Sequence, residues 1–328
     1  IINQPYGWSS STRGAHMRTL DFSGLASPPR VSVLGETASV FYAQYWLNQI
    51  GIETSATEDS QVIVEAGRPA GPSPLDPPIG GITRITLWDF QQGRDGNGLH
   101  AAAAAGVSWV IGHADGPPLA LPIDIPEKWC GLIGANWALS ALLGIELGNT
   151  IPGRRVDIAS ADILRSFADQ NAGNHAEVEQ GWRRNGSVAV EHGGIYPQGY
   201  FACKDGHVGI VGRSRKDWEA IRDVIGRPQW ADDPRFDDPF ELAANPEEVD
   251  KLLTEALSGF GRDELLDKSV RTGATLAPVY SANELLERGI TRSGTFNENQ
   301  TANLPFEIIP RGASNGNEKN GDLVGAGH

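Results

Sequence analysis

The chain is short of sulfur. Its 328 residues include two cysteines, Cys130 and Cys203, and one methionine, Met17. Two cysteines are too few for a disulfide framework, and their separation is not that of a metal-ligand pair. This composition reads as a protein of a reduced, cytoplasmic setting with no metal. Positive charge is also scarce: 27 Lys and Arg stand against 41 Asp and Glu, a formal net charge of -14. Nucleic acid and anionic membranes are poor general partners for such a surface, although a local basic patch can still hold an anionic cofactor. No apolar run reaches the roughly 18 residues that a membrane-spanning helix needs. The longest, Trp129 to Leu147, carries Asn136 and Ser140 and is bounded by Glu127-Lys128 and Glu146. It reads as a buried core helix. The N-terminus lacks the apolar core of a signal peptide. Internal repeats and a Gly-rich dinucleotide-type phosphate loop are absent too.

What remains is an ordinary globular composition, 40% hydrophobic and 21% charged, long enough for two domains or one large one. Met17 follows Gly14-Ala15-His16 and reads as the natural start, with residues 1–16 an added or disordered segment. From Val31 the pattern is a short apolar strand, a glycine, an amphipathic helix from about Glu36 to Gln49, and a second strand opening at Ile52. Strands at Val62 to Val64 and Ile82 to Phe90 follow. The order suggests an abbreviated open α/β sheet. Gly98 to Gly112 reads as a helix closed by glycine. A short strand at Val156 to Ile158 and another helix come next. Helices near Pro246–Leu257 and Arg262–Arg271, and a strand and helix within Gly273–Gly289, follow. The tail from Thr295 reads as extended or poorly ordered.

Lys204-Asp205-Gly206 sits between Tyr200-Phe201-Ala202 and Val208-Gly209-Ile210-Val211, which is a β-hairpin by spacing and turn chemistry. Gly212-Arg213-Ser214-Arg215-Lys216 then places three cations at a helix start, a position that favours acids over cations. That mismatch points to a use for at least one of them. Gly209, Gly212 and Gly193-Gly194 supply permissive backbone and free N–H groups.

Several stretches resemble the family III CoA transferases, which include formyl-CoA and carnitine-CoA transferases and α-methylacyl-CoA racemases. They are "VIVEAGRP", "GPPLALPIDIPEKWCGL", "GRRVDIASADIL", and most specifically "GYFACKDGHVGIVGRSRKDWEAIRDVIGRPQWADDPRFDD". The resemblance runs over roughly residues 30–292 of a chain shorter than is usual for the family. It implies an α/β fold with an abbreviated Rossmann-like open-sheet domain, a smaller α+β domain, and two chains interlocked like rings. The expected divisions are 17–185 for the Rossmann-like CoA-binding part with the central helices, 186–272 for the small hairpin domain, and 273–328 for a return segment and tail.

The resemblance also implies chemistry. One carboxylate attacks an acyl-CoA thioester, passes through a mixed anhydride, and becomes a carboxyl-CoA thioester. The family's aspartate precedes the Gly131-Leu132 pair by four residues, and here that place holds Glu127, with Asp124 three residues before it. Three alternatives stay open: Glu127 as a longer nucleophile, Asp124 shifted into place, or loss of the transferase reaction. Displacing a reacting group by about 1 Å can cost on the order of 100-fold. As a plain structural residue, Glu127 would be an exposed helix-start carboxylate and Asp124 a turn or cap. In the racemase branch a histidine falls near Asn97, with His100 one turn on as a possible general base, and its partner glutamate falls near Arg215. A cation cannot be that base, which disfavours racemization. The implied coenzyme A contacts are Arg68, Arg154, Gly212, Arg213 and Arg215, with Lys216, Arg155 and Trp182-Arg183-Arg184 as further possibilities. The expected activity is CoA transfer between an acyl-CoA and a carboxylic acid. The alternatives are a lyase, hydratase or isomerase on the same scaffold, and a non-catalytic subunit of a CoA-transferase complex. The expected assembly is a homodimer, or a heteromer with a homologous chain.

Overall fold

The computed structural model describes residues 30–58, 60–68, 81–113, 115–122, 124–147, 153–175, 184, 186–188 and 196–288. The expected leader at 1–16, the Gly193-Gly194 pair, Trp182-Arg183 and the tail from Thr295 lie outside them. The chain divides into two compact units. Among the described residues, those within 30–88 and 128–158 form one, and those within 89–127 and 159–288 the other.

The first unit is built on strands β1 (Arg30–Leu34), β2 (Glu53–Ser55), β3 (Val62–Ala66), β4 (Thr83–Trp88) and β5 (Arg154–Ala159), in the order β2-β1-β3-β4-β5. The pairs β1–β2, β1–β3 and β3–β4 are parallel. Val31, Val33, Val62, Ile63, Val64, Ile85 and Leu87 are buried. Near-continuous aliphatic runs of this kind are what parallel strands covered by helices require. Helix α1 (Ala38–Gln49) supplies one cover, with Val40, Ala43 and Leu47 buried along one stripe.

The long apolar segment departs from expectation. The helix that contains it begins earlier, at Ile125, and runs to Glu146. It is numbered α4, since α2 and α3 precede it in the second unit. Only one side of it is buried: Cys130, Ala135, Ala138 and Ala141 are enclosed, whereas Trp129, Trp137 and Leu143 are 43%, 42% and 60% exposed. The buried side is small because α4 lies close to its neighbours. A Cβ on Gly131 would stand 2.6 Å from Ser39 O and 2.7 Å from Ala43 N, both α1 backbone. Gly131 thus sets a helix–helix approach that no larger residue permits.

In the second unit the expected helix at Gly98–Gly112 is two pieces, α2 (Gly98–Ala104) and α3 (Val107–Val110), separated at Gly106, whose φ is +80°. Glycine stopped the helix six residues sooner than the sequence suggested. Helix α5 (Ser160–His175) packs Ala161 and Leu164 against Ala101, Ala102 and Ala105. The hairpin forms as read: β6 (Gln198–Cys203) and β7 (Gly206–Val211) pair antiparallel, with Cys203 opposite Gly206. Strand β8 (Leu276–Val279) adds to β7, so 273–288 belongs with the hairpin and not to a separate return segment. Helices α6 (Arg215–Val224), α7 (Pro239–Leu242), α8 (Pro246–Leu257), α9 (Arg262–Thr272) and α10 (Ala282–Arg288) complete the unit. Its core joins Trp218, Ile221 and Val224 of α6 to Val249, Leu253 and Leu257 of α8 and to Phe201, Val208 and Ile210 of the sheet. Residues 89–127 and 159–175 fall in this unit, which moves the expected 17–185 and 186–272 boundaries.

Candidate functional site

The start of α2 leaves amide groups without helical partners. Asn97, in extended backbone, caps it: the Asn97 side chain accepts from the His100 N–H, and the Asn97 N–H donates to His100 Nδ1 at 3.3 Å. That reciprocal box leaves the first helical amide, Gly98 N–H, to be satisfied elsewhere. It donates to Glu127 Oε1. Glu127 sits in the first turn of α4, and Asp124, just before that helix, adopts φ +54°. Sequence reasoning allowed Glu127 to be an exposed helix-start carboxylate. It is instead 4% exposed, and its Oε2 has no hydrogen-bond partner among the described residues.

Burial is the largest influence on the Glu127 carboxyl and pushes it above its ordinary range. Hydrogen bonds from its own N–H and from Gly98 oppose the shift, while the Asp89 and Asp124 charges add to it. A cavity of about 170 Å³ is lined by Asn97, Gly98, Leu99, Asp124, Pro126 and Glu127. The two carboxylates singled out from the sequence therefore share a cavity. His100 does not line it. The His100 Nδ1 lies 3.3 Å from Asn97 N and 2.8 Å from Asn97 Oδ1, and its ring is 5.7 Å from that of Phe90. Its Nδ1 serves the cap. Asn97 and Gly98 were missed as site residues. The available signal was an Asn immediately ahead of an alanine-rich helix.

The basic residues scatter. Gly212 is not a permissive ligand loop: its N–H donates to Pro197 O at 2.7 Å, and a Cβ there would stand 2.9 Å from Pro197 Cδ. Gly209 is a strand residue paired with Tyr200 and Ala277. The three cations begin α6 because an acid is built in beside them. Ser214 Oγ accepts from the Asp217 N–H, and the Arg213 N–H donates to Asp217 Oδ2 at 3.0 Å. Arg215 pairs with Asp238 at 3.2 Å, so it has a partner already. The Arg213 side chain forms no ion pair among the described residues, and it lines an open cavity of about 1300 Å³ with Tyr200, His207 and Thr275.

In the first unit Arg68 follows the carboxyl end of β3. It lines a cavity of about 230 Å³ with Glu65, Arg84, Trp88 and Arg155. Arg84 is held by Glu65 at 2.6 Å, and Arg155 by Asp157 at 2.9 Å. Arg68 is exposed and, among the described residues, unpaired. The chain passes from β1 to one side and then to the other, and ligands of open α/β sheets gather at the carboxyl ends flanking such a switch. Arg154 is misplaced for that role. Its N–H donates to Ile82 O, level with the start of β4, whereas Ala66 at the end of β3 is level with Leu87. Roughly 16 Å of strand separates the two levels. Among the described residues no cluster of three His, Cys, Asp or Glu could hold a metal, and no helix is long and apolar enough to cross a membrane.

Fold and site define an α/β protein with a parallel sheet and a buried carboxylate at the start of its longest helix. A family model described as CoA-transferase family III matches residues 87–315, and the chain belongs to that family. It is 26% identical over 197 residues to a succinyl-CoA:mesaconate CoA-transferase of Haloarcula marismortui, covering 60% of this chain and 48% of the relative. It is 25% identical over 188 residues to the beta subunit of a succinyl-CoA–L-malate CoA-transferase of Chloroflexus aurantiacus, covering 57% and 45%. The chain thus spans about half the length of these relatives. A CaiB/BaiF family protein from Brucella suis matches in structure with a TM-score of 0.62 at 16% identity, covering 79% of this chain and 85% of the other. At that identity the likeness speaks for the fold alone.

Proposed function

We propose that the protein transfers coenzyme A between an acyl-CoA thioester and a carboxylic acid, with Glu127 as the carboxylate that carries the acyl and CoA groups in turn. The observation that supports this most is the Glu127 carboxyl itself. It is buried, one oxygen is held by the Gly98 N–H, and the other has no hydrogen-bond partner among the described residues. In the reaction, Glu127 attacks the thioester carbonyl and expels the CoA thiolate, giving a mixed anhydride. The thiolate then attacks the Glu127 carbonyl, releasing the first acid and leaving a glutamyl-CoA thioester. The acceptor carboxylate attacks that thioester and reverses the sequence with the new acyl group. A carboxylate whose proton affinity is raised by burial is a stronger nucleophile once ionised. Arg68 at the sheet's carboxyl end and Arg213 beside the hairpin are cations available for CoA phosphates or the acid substrate. The proposal places two chains in an interlocked homodimer, or one beside a homologous chain, in the cytoplasm.

A second reading draws on the same raised carboxyl. Glu127 shares its cavity with Asp124, and two carboxyls in one cavity suit the proton transfers of a lyase, hydratase or isomerase. Intact-protein mass spectrometry separates the two. Incubation with a panel of acyl-CoA thioesters is expected to add CoA mass to the wild type and none to Glu127→Gln, and hydroxylamine is expected to release that CoA and leave a hydroxamate on Glu127. CoA binding and turnover without any adduct would favour the acid–base reading. Neither binding nor adduct would sink both, and leave a subunit that works only in a mixed complex.

A further inference from the structure

We propose that Gly98 is the positioning residue of the site. Its N–H fixes Glu127 Oε1, and its missing side chain makes the room that a carboxylate as long as glutamate's needs there. The inference rests on the reading of Glu127 as the reactive carboxylate. Gly98 opens a helix that continues through Ala101 to Ala104, where alanine is the better helix former by up to about 1 kcal/mol. Its backbone is not in the left-handed region, so conformation alone does not demand glycine. The carboxylate does. A Cβ at position 98 would lie 2.7 Å from both Cδ and Oε1 of Glu127, and closer still to Oε2. Those atoms are not the far end of a free side chain, because Glu127 is 4% exposed and sits in the first turn of a 22-residue helix.

The consequence is a division of labour between the two oxygens. Oε1 is tied to the Gly98 N–H, and Oε2 lies against Gly98 with no donor among the described residues. An unpartnered buried oxygen is costly in the resting protein. It is also the one whose lone pairs are uncommitted when a thioester carbonyl arrives. Gly98 therefore holds one oxygen by its N–H and makes the room in which the other sits.

The test uses the 328-residue chain as wild type, Gly98→Ala, Glu127→Asp and the double variant. The first readout is the rate of CoA adduct formation with succinyl-CoA. Gly98→Ala is expected to slow it about 100-fold, the cost of a misplacement near 1 Å. Shortening the carboxylate restores the space, so the double variant is expected to run at least about tenfold faster than Gly98→Ala. This is a coupling that independent sites do not show. The second readout needs no turnover: the titration of the Glu127 side-chain carbon by NMR, identified by its absence in Glu127→Gln. Gly98→Ala is expected to lower its midpoint toward an ordinary glutamate as the carboxyl leaves its buried seat. An unchanged rate and midpoint in Gly98→Ala would overturn the proposal, as would a double variant no faster than Gly98→Ala. If no form makes an adduct, the transferase reading falls, and the midpoint alone decides the positioning role. Should Gly98→Ala fail to fold, hydrogen exchange at the Gly98 amide in Glu127→Asp replaces it. Faster exchange than in wild type is expected, and equal protection would overturn the contact.

Discussion

Glu127 links reactivity to stability through one proton. Its carboxyl in the folded protein sits above the 4.5 of an ordinary glutamate, chiefly because it is buried. Between these two values the folded state holds a proton that the unfolded state has released. Stability is then highest below the ordinary value and is lost as pH rises through the raised one. Glu127→Gln has no such proton. The stability of wild type relative to Glu127→Gln is expected to fall steadily from about pH 4 upward and to level off once the raised value is passed. Urea unfolding of both proteins at a series of pH values measures it. A constant difference would mean that the carboxyl titrates as if exposed. Adduct formation is expected to move in the opposite direction, rising with pH across the same window, because only the ionised carboxylate attacks.

At the scale of elements, position in the sheet decides which cations can serve. Arg68 and Arg154 look equivalent in the sequence, each being an arginine beside a strand. The strand register separates them to opposite ends, with Ala66 level with Leu87 and Arg154 bonded to Ile82. Arg68→Ala is expected to weaken CoA binding about tenfold, or about 1.4 kcal/mol, and Arg154→Ala to leave it unchanged. Calorimetric titration with CoA would show this, and equal losses would remove the sheet's carboxyl end from the site. Much of the framework was legible because its signals are local. The hairpin is written in Lys204-Asp205-Gly206, and helix α1 in its apolar Val40 and Leu47; Glu127 and Asp124 were singled out through the family resemblance, which sets the carboxylate ahead of Gly131-Leu132. What was not legible depends on contacts across the chain. Nothing near Glu127 in sequence says that its partner is Gly98, 29 residues away. Nothing near Arg215 says that Asp238 occupies it. Gly212 looked permissive because glycine's two uses, conformational freedom and close packing, are identical in a sequence; only the approach of Pro197 distinguishes them.

For the whole molecule, the open issue is what stands against α4. One side of that helix is enclosed by its own unit, while Trp137 and Leu143 on the other are 42% and 60% exposed. Scattered apolar residues on a surface need no explanation, so exposure alone does not argue for a partner. The proposed assembly gives it a testable meaning. If α4 faces solvent, a charge at Leu143 changes stability by no more than about 0.5 kcal/mol, the range of ordinary surface substitutions. If a second chain seals the helix, Leu143→Asp buries an unpaired charge, and the cost is several times larger. Sedimentation of the wild type is expected to give twice the 35.1 kDa chain mass. Thermal unfolding of the wild type is expected to depend on protein concentration, and Leu143→Asp is expected to shift the mass toward a single chain and to weaken that dependence. A wild type that sediments as a single chain, with Leu143→Asp melting at the same temperature, would remove the homodimer.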